Sequence, residues 1–227
     1  MKLLFQGKTK DVYENPNGTY TLKLKDTATG KDGVFDPGEN AVGLSIDGLG
    51  RESLMLSKYF FEKLTYAGIP NHYVECDIQA AAMTVLPVKK FGNGIEFICR
   101  LKADGSFLRR YGAYTNFGAV LDYFVEVTIK DDDRQDPPIN KDALLILNIM
   151  TQEEYETCTA LTKKITQMVA GDLMQKGLDL YDIKVEYGKN GNNIILMDEL
   201  SAGSMRVYKD GKLIPPMELA SLIIGTA

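Results

Sequence analysis

Apolar and polar positions along this chain fall into short period-two runs and two longer helical patterns. Leu3–Gln6, Asp11–Glu14 and Thr19–Lys25 read as strands, the last two joined by the turn sequence Asn15-Pro-Asn-Gly18. Ser53–Ala67 sets Leu54, Leu56, Phe60, Phe61 and Leu64 on a helix that Gly68 and Pro70 close. His72–Cys76, Met83–Val88 and Ile95–Lys102 follow as strands. A short helix opens within Ala103–Arg110, and Phe124–Lys130 is another strand. Lys130–Pro138 is polar and cannot be helical through Pro137-Pro138. Thr151 and Glu154 form a capping box for the longest helix, which runs to about Lys176 and ends at Gly177. Many strands, few helices and no regular βαβ alternation predict an α+β fold of mostly antiparallel sheets.

Two stretches lack a period. Asp26–Gly50 is rich in Gly, Asp and Thr and predicts a long loop, of the kind that serves as a lid. Val88–Gly94 predicts a flexible connection. It divides the chain into an N-terminal lobe, residues 1–92, and a C-terminal lobe, residues 93–227.

The chemistry gathers in Leu180–Tyr208. Asp182-Ile-Lys-Val-Glu-Tyr187 alternates at period two, Gly188–Asn193 is turn sequence, and Ile194–Met197 is an apolar run; together they predict a β-hairpin. Lys184 and Glu186 then share a face, and Asp198 can join them near the open end. Two carboxylates and an ammonium group suit a magnesium–nucleotide triphosphate site. A solvated, salt-bridged hairpin face satisfies the same spacing, and spacing alone leaves both open. The loop beyond Asp198-Glu199 reaches Arg206.

Other candidates are scattered. Gly7-Lys-Thr-Lys10 lies in a strand-to-strand turn and offers amides and ammonium groups to an anion, or is an ordinary basic turn. It lacks the spaced second glycine of a Walker loop. Arg100 sits late on its strand, with Gly105-Ser106 at the following helix start: an anion site, or a structural buried arginine.

Composition narrows the partners. In 227 residues with 44% apolar and 25% charged side chains, a net charge of −5 argues against nucleic acid as the main partner. The start at Met1-Lys-Leu-Leu-Phe shows no signal region, and no run approaches a membrane span. Cys76, Cys99 and Cys158 lack metal-ligand spacing and read as reduced residues of a cytoplasmic protein. His72 is the single histidine, which excludes a mechanism built on several.

Taken in order, these pieces resemble the SAICAR synthetase family over most of the chain. The residues that carry it are Gly7-Lys-Thr-Lys-Asp-Val-Tyr13, Ala67-Gly-Ile-Pro70, Glu96-Phe-Ile-Cys-Arg100 with Gly105-Ser106, and Asp136-Pro137 with Asn140. Leu180–Gly188 and Asp198-Glu-Leu-Ser201 with Arg206 complete the set. The resemblance implies a two-lobed fold with a nucleotide cleft between the lobes. It also implies an ATP- and Mg²⁺-dependent carbon–nitrogen ligase of purine biosynthesis, in which ATP phosphorylates the carboxylate of carboxyaminoimidazole ribotide and the amine of L-aspartate displaces phosphate. Such chemistry needs charge neutralisation and alignment more than a protein nucleophile.

Carried onto this chain, Lys8, Lys10 and Lys184 meet ATP, the Lys89-Lys90 region covers the adenine, and Glu186 and Asp198 hold Mg²⁺. Arg100, Gly105, Ser106, Asp136 and Arg206 face the ribotide. Lys184, Glu186, Asp198 and Arg206 form the catalytic set. The resemblance further implies small-molecule substrates and a homodimer. The chain departs from the family pattern at Gln135, Gly203, Ser204-Met205 and Tyr208, and it stops at Ala227 without the family's usual final helical segment. These changes lie at the acceptor end, so a related ligase of another pathway with another carboxylate or amine, or a retired member that binds nucleotide or ribotide without turnover, are the alternative readings.

Overall fold

A computed structural model describes residues 1–225. The chain begins with β1 (Lys2–Gln6), β2 (Lys10–Glu14) and β3 (Tyr20–Leu24). Next come β4 (Thr27–Lys31), β5 (Val34–Phe35) and β6 (Val42–Ser45). Helix α1 (Leu49–Tyr66) leads to β7 (Tyr73–Asp77), β8 (Ala82–Val85) and β9 (Lys89–Lys90). Then follow β10 (Ile95–Lys102), α2 (Gly105–Tyr111), β11 (Val120–Ile129), α3 (Lys141–Ile146) and α4 (Gln152–Met174). The chain closes with β12 (Asp179–Asn190), β13 (Asn193–Met197), β14 (Met205–Lys209), β15 (Lys212–Leu213) and α5 (Pro216–Ile224).

These strands make an antiparallel five-stranded sheet, β1-β2-β3-β8-β7, and a seven-stranded sheet, β11-β10-β12-β14-β15, with β13 and β9 also on β12. The α+β expectation holds.

The long strand β12 is the axis of the second sheet. Its register aligns Glu96 with Glu186, Ile98 with Lys184, and Arg100 with Asp182; Asp182 in turn faces Arg206 on β14. Because strand side chains alternate, Phe97, Cys99, Ile183, Val185 and Tyr187 occupy the opposite, apolar face. That face packs on α4, whose Cys158, Thr162, Ile165, Val169 and Leu173 are buried. The Tyr187 hydroxyl bonds Thr162 Oγ1 at 3.0 Å, satisfying a phenol that would be costly to bury alone. The predicted capping box, Thr151 with Glu154, starts α4.

Helix α1 buries Leu54 and Leu56 as well as Phe60, Phe61 and Leu64, a wider arc than one sheet requires. The second neighbour is α5, whose Leu219, Ala220 and Ile223 are buried against it. The C-terminal helix thus braces the first sheet.

Several expectations fail for physical reasons. Asp26–Gly50, expected as a loop, contains the three-stranded sheet β5-β4-β6 and the first residues of α1. Its glycines hide the alternation: a Cβ on Gly43 would lie 2.6 Å from the Gly30 carbonyl oxygen, and one on Gly30 would lie closer still to the Val34 carbonyl oxygen, so each close approach requires its own glycine. Val88–Gly94, expected as a flexible connection, holds β9, which pairs with Gly188 and Lys189 of β12. Arg206, expected on a loop, stands on β14. The hairpin turn is narrower than expected, since Asn190 and Asn193 are paired and only Gly191-Asn192 are left outside the strands. Nothing in the pattern pointed to the short α3, β15 or α5.

Candidate functional site

The even-numbered face of the second sheet looks across at the Gly7–Lys10 turn. Between them is a cavity of about 360 Å³ lined by Lys8, Lys10, Glu96, Lys130, Lys184, Glu186, Asp198 and Glu199 among others. Its polar wall follows from register. Glu96 and Glu186 sit directly opposite each other on paired strands, a repulsive arrangement unless each finds a cation. Lys184 donates to Glu96 at 2.8 Å and Thr128 donates to the other oxygen, also at 2.8 Å. Lys130, directly after β11, pairs with Glu186 and reaches Asp198 at 3.8 Å.

Asp198 directly follows β13, whose last residue, Met197, faces Glu186. It adopts a left-handed conformation, φ 73°, that turns its carboxylate onto Lys10. Lys10 also binds Glu199. Burial opposes ionisation at all three acids, but the neighbours split them. The ammonium groups of Lys10 and Lys130 hold Asp198 well below the usual carboxylate range. Burial, then Asp198 and Glu96, push Glu186 up. Burial and Asp198 push Glu199 up to about 7. Burial would depress Lys10 and Lys130, yet their carboxylate partners raise both.

A second, smaller cavity of about 80 Å³ adjoins the first and shares Glu96, Asp136, Lys184, Asn40, Pro37 and Ser204 with it. Its wall is arginine-rich. Arg100 donates to Glu126 at 2.8 and 2.5 Å, to Asp182 at 2.7 Å and to Ser106 Oγ at 2.8 Å. Arg206 donates to Asp182 at 2.9 Å and to Asp36 at 2.5 Å. Arg110 binds Glu126, and its buried Nε has no partner.

The family model of SAICAR synthetase matches residues 3–215. The chain belongs to the SAICAR synthetase family. Among curated relatives, the phosphoribosylaminoimidazole-succinocarboxamide synthase of Clostridium tetani is 54% identical over 226 residues, covering 99% of this chain and 100% of that one. A solved SAICAR synthetase shares 32% identity at TM-score 0.80, over 92% of this chain and 87% of its own. Another, solved in complex with ADP, is 24% identical and superposes at TM-score 0.85, over 98% of this chain and 97% of its own.

In this SAICAR synthetase fold the expected residues separate into three groups. Lys8, Lys10, Lys184, Glu186 and Asp198 meet in the larger cavity. Arg100, Ser106 and Arg206 meet in the smaller, and Asp136 lines both. Lys89 and Lys90 do not join them: they lie exposed on β9 and line neither cavity. The Gly105 amide is also not free for a ligand, since it donates to Asp104 Oδ1 at 2.6 Å. Gly105 serves by closeness instead, because a Cβ there would lie 2.6 Å from the Arg206 guanidinium carbon.

Lys130 and Asp36 lie outside the motifs that carry the resemblance, and Glu96 and Asp182 lie within them without an expected site role, yet all four complete the two walls. Two could have been found by alternation, since Glu96 shares a strand face with Arg100, and Asp182 with Lys184. Lys130 directly follows β11, but only the fold shows that it faces Glu186. Asp36 comes from the small sheet that was expected as a loop.

The donor set fits Mg²⁺. Glu186 and Asp198 supply hard oxygens and already share one cation, the Lys130 ammonium, while the raised Glu186 and Glu199 mark surplus negative charge. Among the described residues no group of three or more His, Cys, Asp or Glu side chains forms a complete cage. A magnesium ion carried by a nucleotide is held in that way, by one or two carboxylates together with phosphate oxygens.

Proposed function

We propose that this chain is a phosphoribosylaminoimidazole-succinocarboxamide synthase. ATP phosphorylates the carboxylate of carboxyaminoimidazole ribotide, the amine of L-aspartate attacks the acyl phosphate, and the amide, ADP and phosphate leave. The observation that carries this reading is the shared wall of the two cavities. One is lined by lysines and carboxylates suited to a metal-bound triphosphate, the other by arginines suited to a phosphorylated or carboxylated substrate.

Lys8 and Lys10 take ATP phosphate oxygens, and Lys184, which lines both cavities, lies where the γ-phosphate meets the substrate carboxylate. Glu186 and Asp198 hold Mg²⁺, which neutralises charge on the phosphates when bound. Arg100, Ser106 and Arg206 hold the ribotide phosphate, and Asp136 borders the acceptor end. The lysines neutralise charge on the transferring group and the arginines fix the acceptor in line. Residues 1–92 and 93–227 act as two lobes that meet at this cleft. No helix among the described residues is long and apolar enough to cross a membrane. A cytoplasmic homodimer is part of the same reading, and sedimentation of the purified protein tests the dimer.

The direct test is ADP release with Mg²⁺-ATP, carboxyaminoimidazole ribotide and L-aspartate, each omitted in turn. Release that needs all three supports the synthase. Binding of ADP without release from that trio points to another carboxylate or amine, consistent with the altered positions Gln135, Gly203 and Ser204.

A further inference from the structure

The imidazole of His72 is buried beneath the larger cavity, 2% exposed, and lines neither cavity. Its surroundings fix it from several sides. The His72 backbone N–H donates to Leu196 O at 2.9 Å, and its carbonyl accepts from Leu86 N at 2.8 Å. Leu196 N in turn donates to Pro70 O at 3.0 Å, and Asn71 bridges Leu196 in parallel fashion. The segment before β7 is therefore stitched to β13, the strand that delivers Asp198. The ring packs against Phe61 of α1, centroids 5.4 Å apart.

From that position, His72 Nε2 meets the backbone carbonyl of Asp198 at 2.9 Å. The carbonyl can only accept, so Nε2–H donates. The φ of 73° at Asp198 lies in the left-handed region, which a side chain such as aspartate adopts when local hydrogen bonds hold it there. A buried carbonyl without a donor would carry a penalty. The same twist aims the carboxylate at Lys10 and, with Glu186, toward Lys130.

We propose that His72 is the positioning residue for Asp198. Its Nε2–H holds the carbonyl of Asp198, and so the left-handed turn that presents this carboxylate to the metal-bound nucleotide. His72 does not touch substrate and moves no proton. This inference rests on the nucleotide reading above.

The test separates the two. ADP affinity is measured by calorimetry with and without Mg²⁺ for the wild type, His72→Phe, which keeps a ring on Phe61 without the N–H, and His72→Gln, which returns an N–H donor at similar reach. Near-ultraviolet circular dichroism checks the fold; should His72→Phe fail to fold, His72→Leu takes its place. In the wild type Mg²⁺ tightens ADP binding. In His72→Phe that gain falls at least tenfold while metal-free ADP affinity changes less than twofold, and His72→Gln recovers most of it. A purely structural histidine would lower both affinities together or neither. Full Mg²⁺ gain in His72→Phe, or equal loss with and without metal, overturns the proposal. A wild type in which Mg²⁺ gives no gain overturns the nucleotide–metal reading and the proposal with it.

Discussion

Asp182 Oδ2 accepts hydrogen bonds from both Arg100 Nη1, at 2.7 Å, and Arg206 Nη1, at 2.9 Å. Three adjacent strands create this relationship, because β10, β12 and β14 place the three residues in one cross-strand row. All three are nearly inaccessible, at 1%, 4% and 6% for Arg100, Asp182 and Arg206. Asp182→Asn leaves two buried guanidinium groups short of a counter-charge, and removing one partner of a buried pair costs about 3–5 kcal/mol. Urea denaturation is expected to show that loss. A change below about 1 kcal/mol would mean that Glu126 on Arg100, and Asp36 and Asp104 (3.6 Å from Arg206 Nε) on Arg206, hold the arginines without it.

The second carboxylate on Arg206 has a different standing. Asp36 reaches it from the segment after β5, and against the opposing effect of burial Arg206, the Gly38 N–H and Arg109 together hold its carboxyl below the usual range. An anionic substrate at Arg206 must compete with it. Asp36→Asn is expected to lower the Michaelis constant for the ribotide about fivefold, ~1 kcal/mol, with that for ATP unchanged. Weaker ribotide binding would show that Asp36 positions Arg206 and does not compete for it.

Arg206→Ala gives the complementary result. It removes a bidentate donor from the smaller cavity only. The ribotide Michaelis constant should rise at least tenfold while nucleotide affinity stays within about twofold, ~1.4 kcal/mol or more against less than 0.5. Steady-state kinetics with each substrate varied in turn would show this, and equal losses would displace Arg206 from the ribotide end.

Asp198→Asn keeps the shape of a metal ligand and the left-handed backbone that asparagine tolerates, but it removes the charge facing Lys10 and Lys130. Turnover should fall at least a hundredfold, ~3 kcal/mol or more of lost transition-state stabilisation. Circular dichroism should remain native. Near-normal activity in a folded Asp198→Asn would remove Asp198 from the metal.

His72 also sets a pH dependence. Burial holds it neutral down to about 4, against an ordinary 6.5. Between those values the unfolded chain takes up a proton that the folded chain refuses. Stability from this group is complete above pH 6.5 and is lost as pH falls toward 4, by about 3 kcal/mol. The ring proton signal of the single histidine, followed by NMR, should stay unchanged from pH 8 to 5. A titration near 6.5 would mean that the ring is solvated.

Much of this was legible because local chemistry agrees with the fold. The β12–β13 hairpin follows from alternation and a turn sequence, and α4 from its capping box and terminal Gly177. The same-face placement of Lys184 and Glu186 follows from strand period alone. What escaped depends on contacts far apart in sequence. Lys130 faces Glu186 only because β11 and β12 flank β10, and Asp36 meets Arg206 across 170 positions. Lys89 and Lys90 were expected to cover the adenine only through the family resemblance; both are exposed on β9, which pairs with β12. Glycines at 30 and 43 allow strands to meet where a periodic signal would otherwise announce them.

The most direct measurement follows one oxygen atom. Carboxyaminoimidazole ribotide labelled with ¹⁸O in its carboxylate is turned over with Mg²⁺-ATP and L-aspartate, and the inorganic phosphate is analysed by mass spectrometry. Activation through an acyl phosphate transfers one labelled oxygen to each phosphate released. Phosphate free of label, formed at the same rate as the amide, would contradict the account.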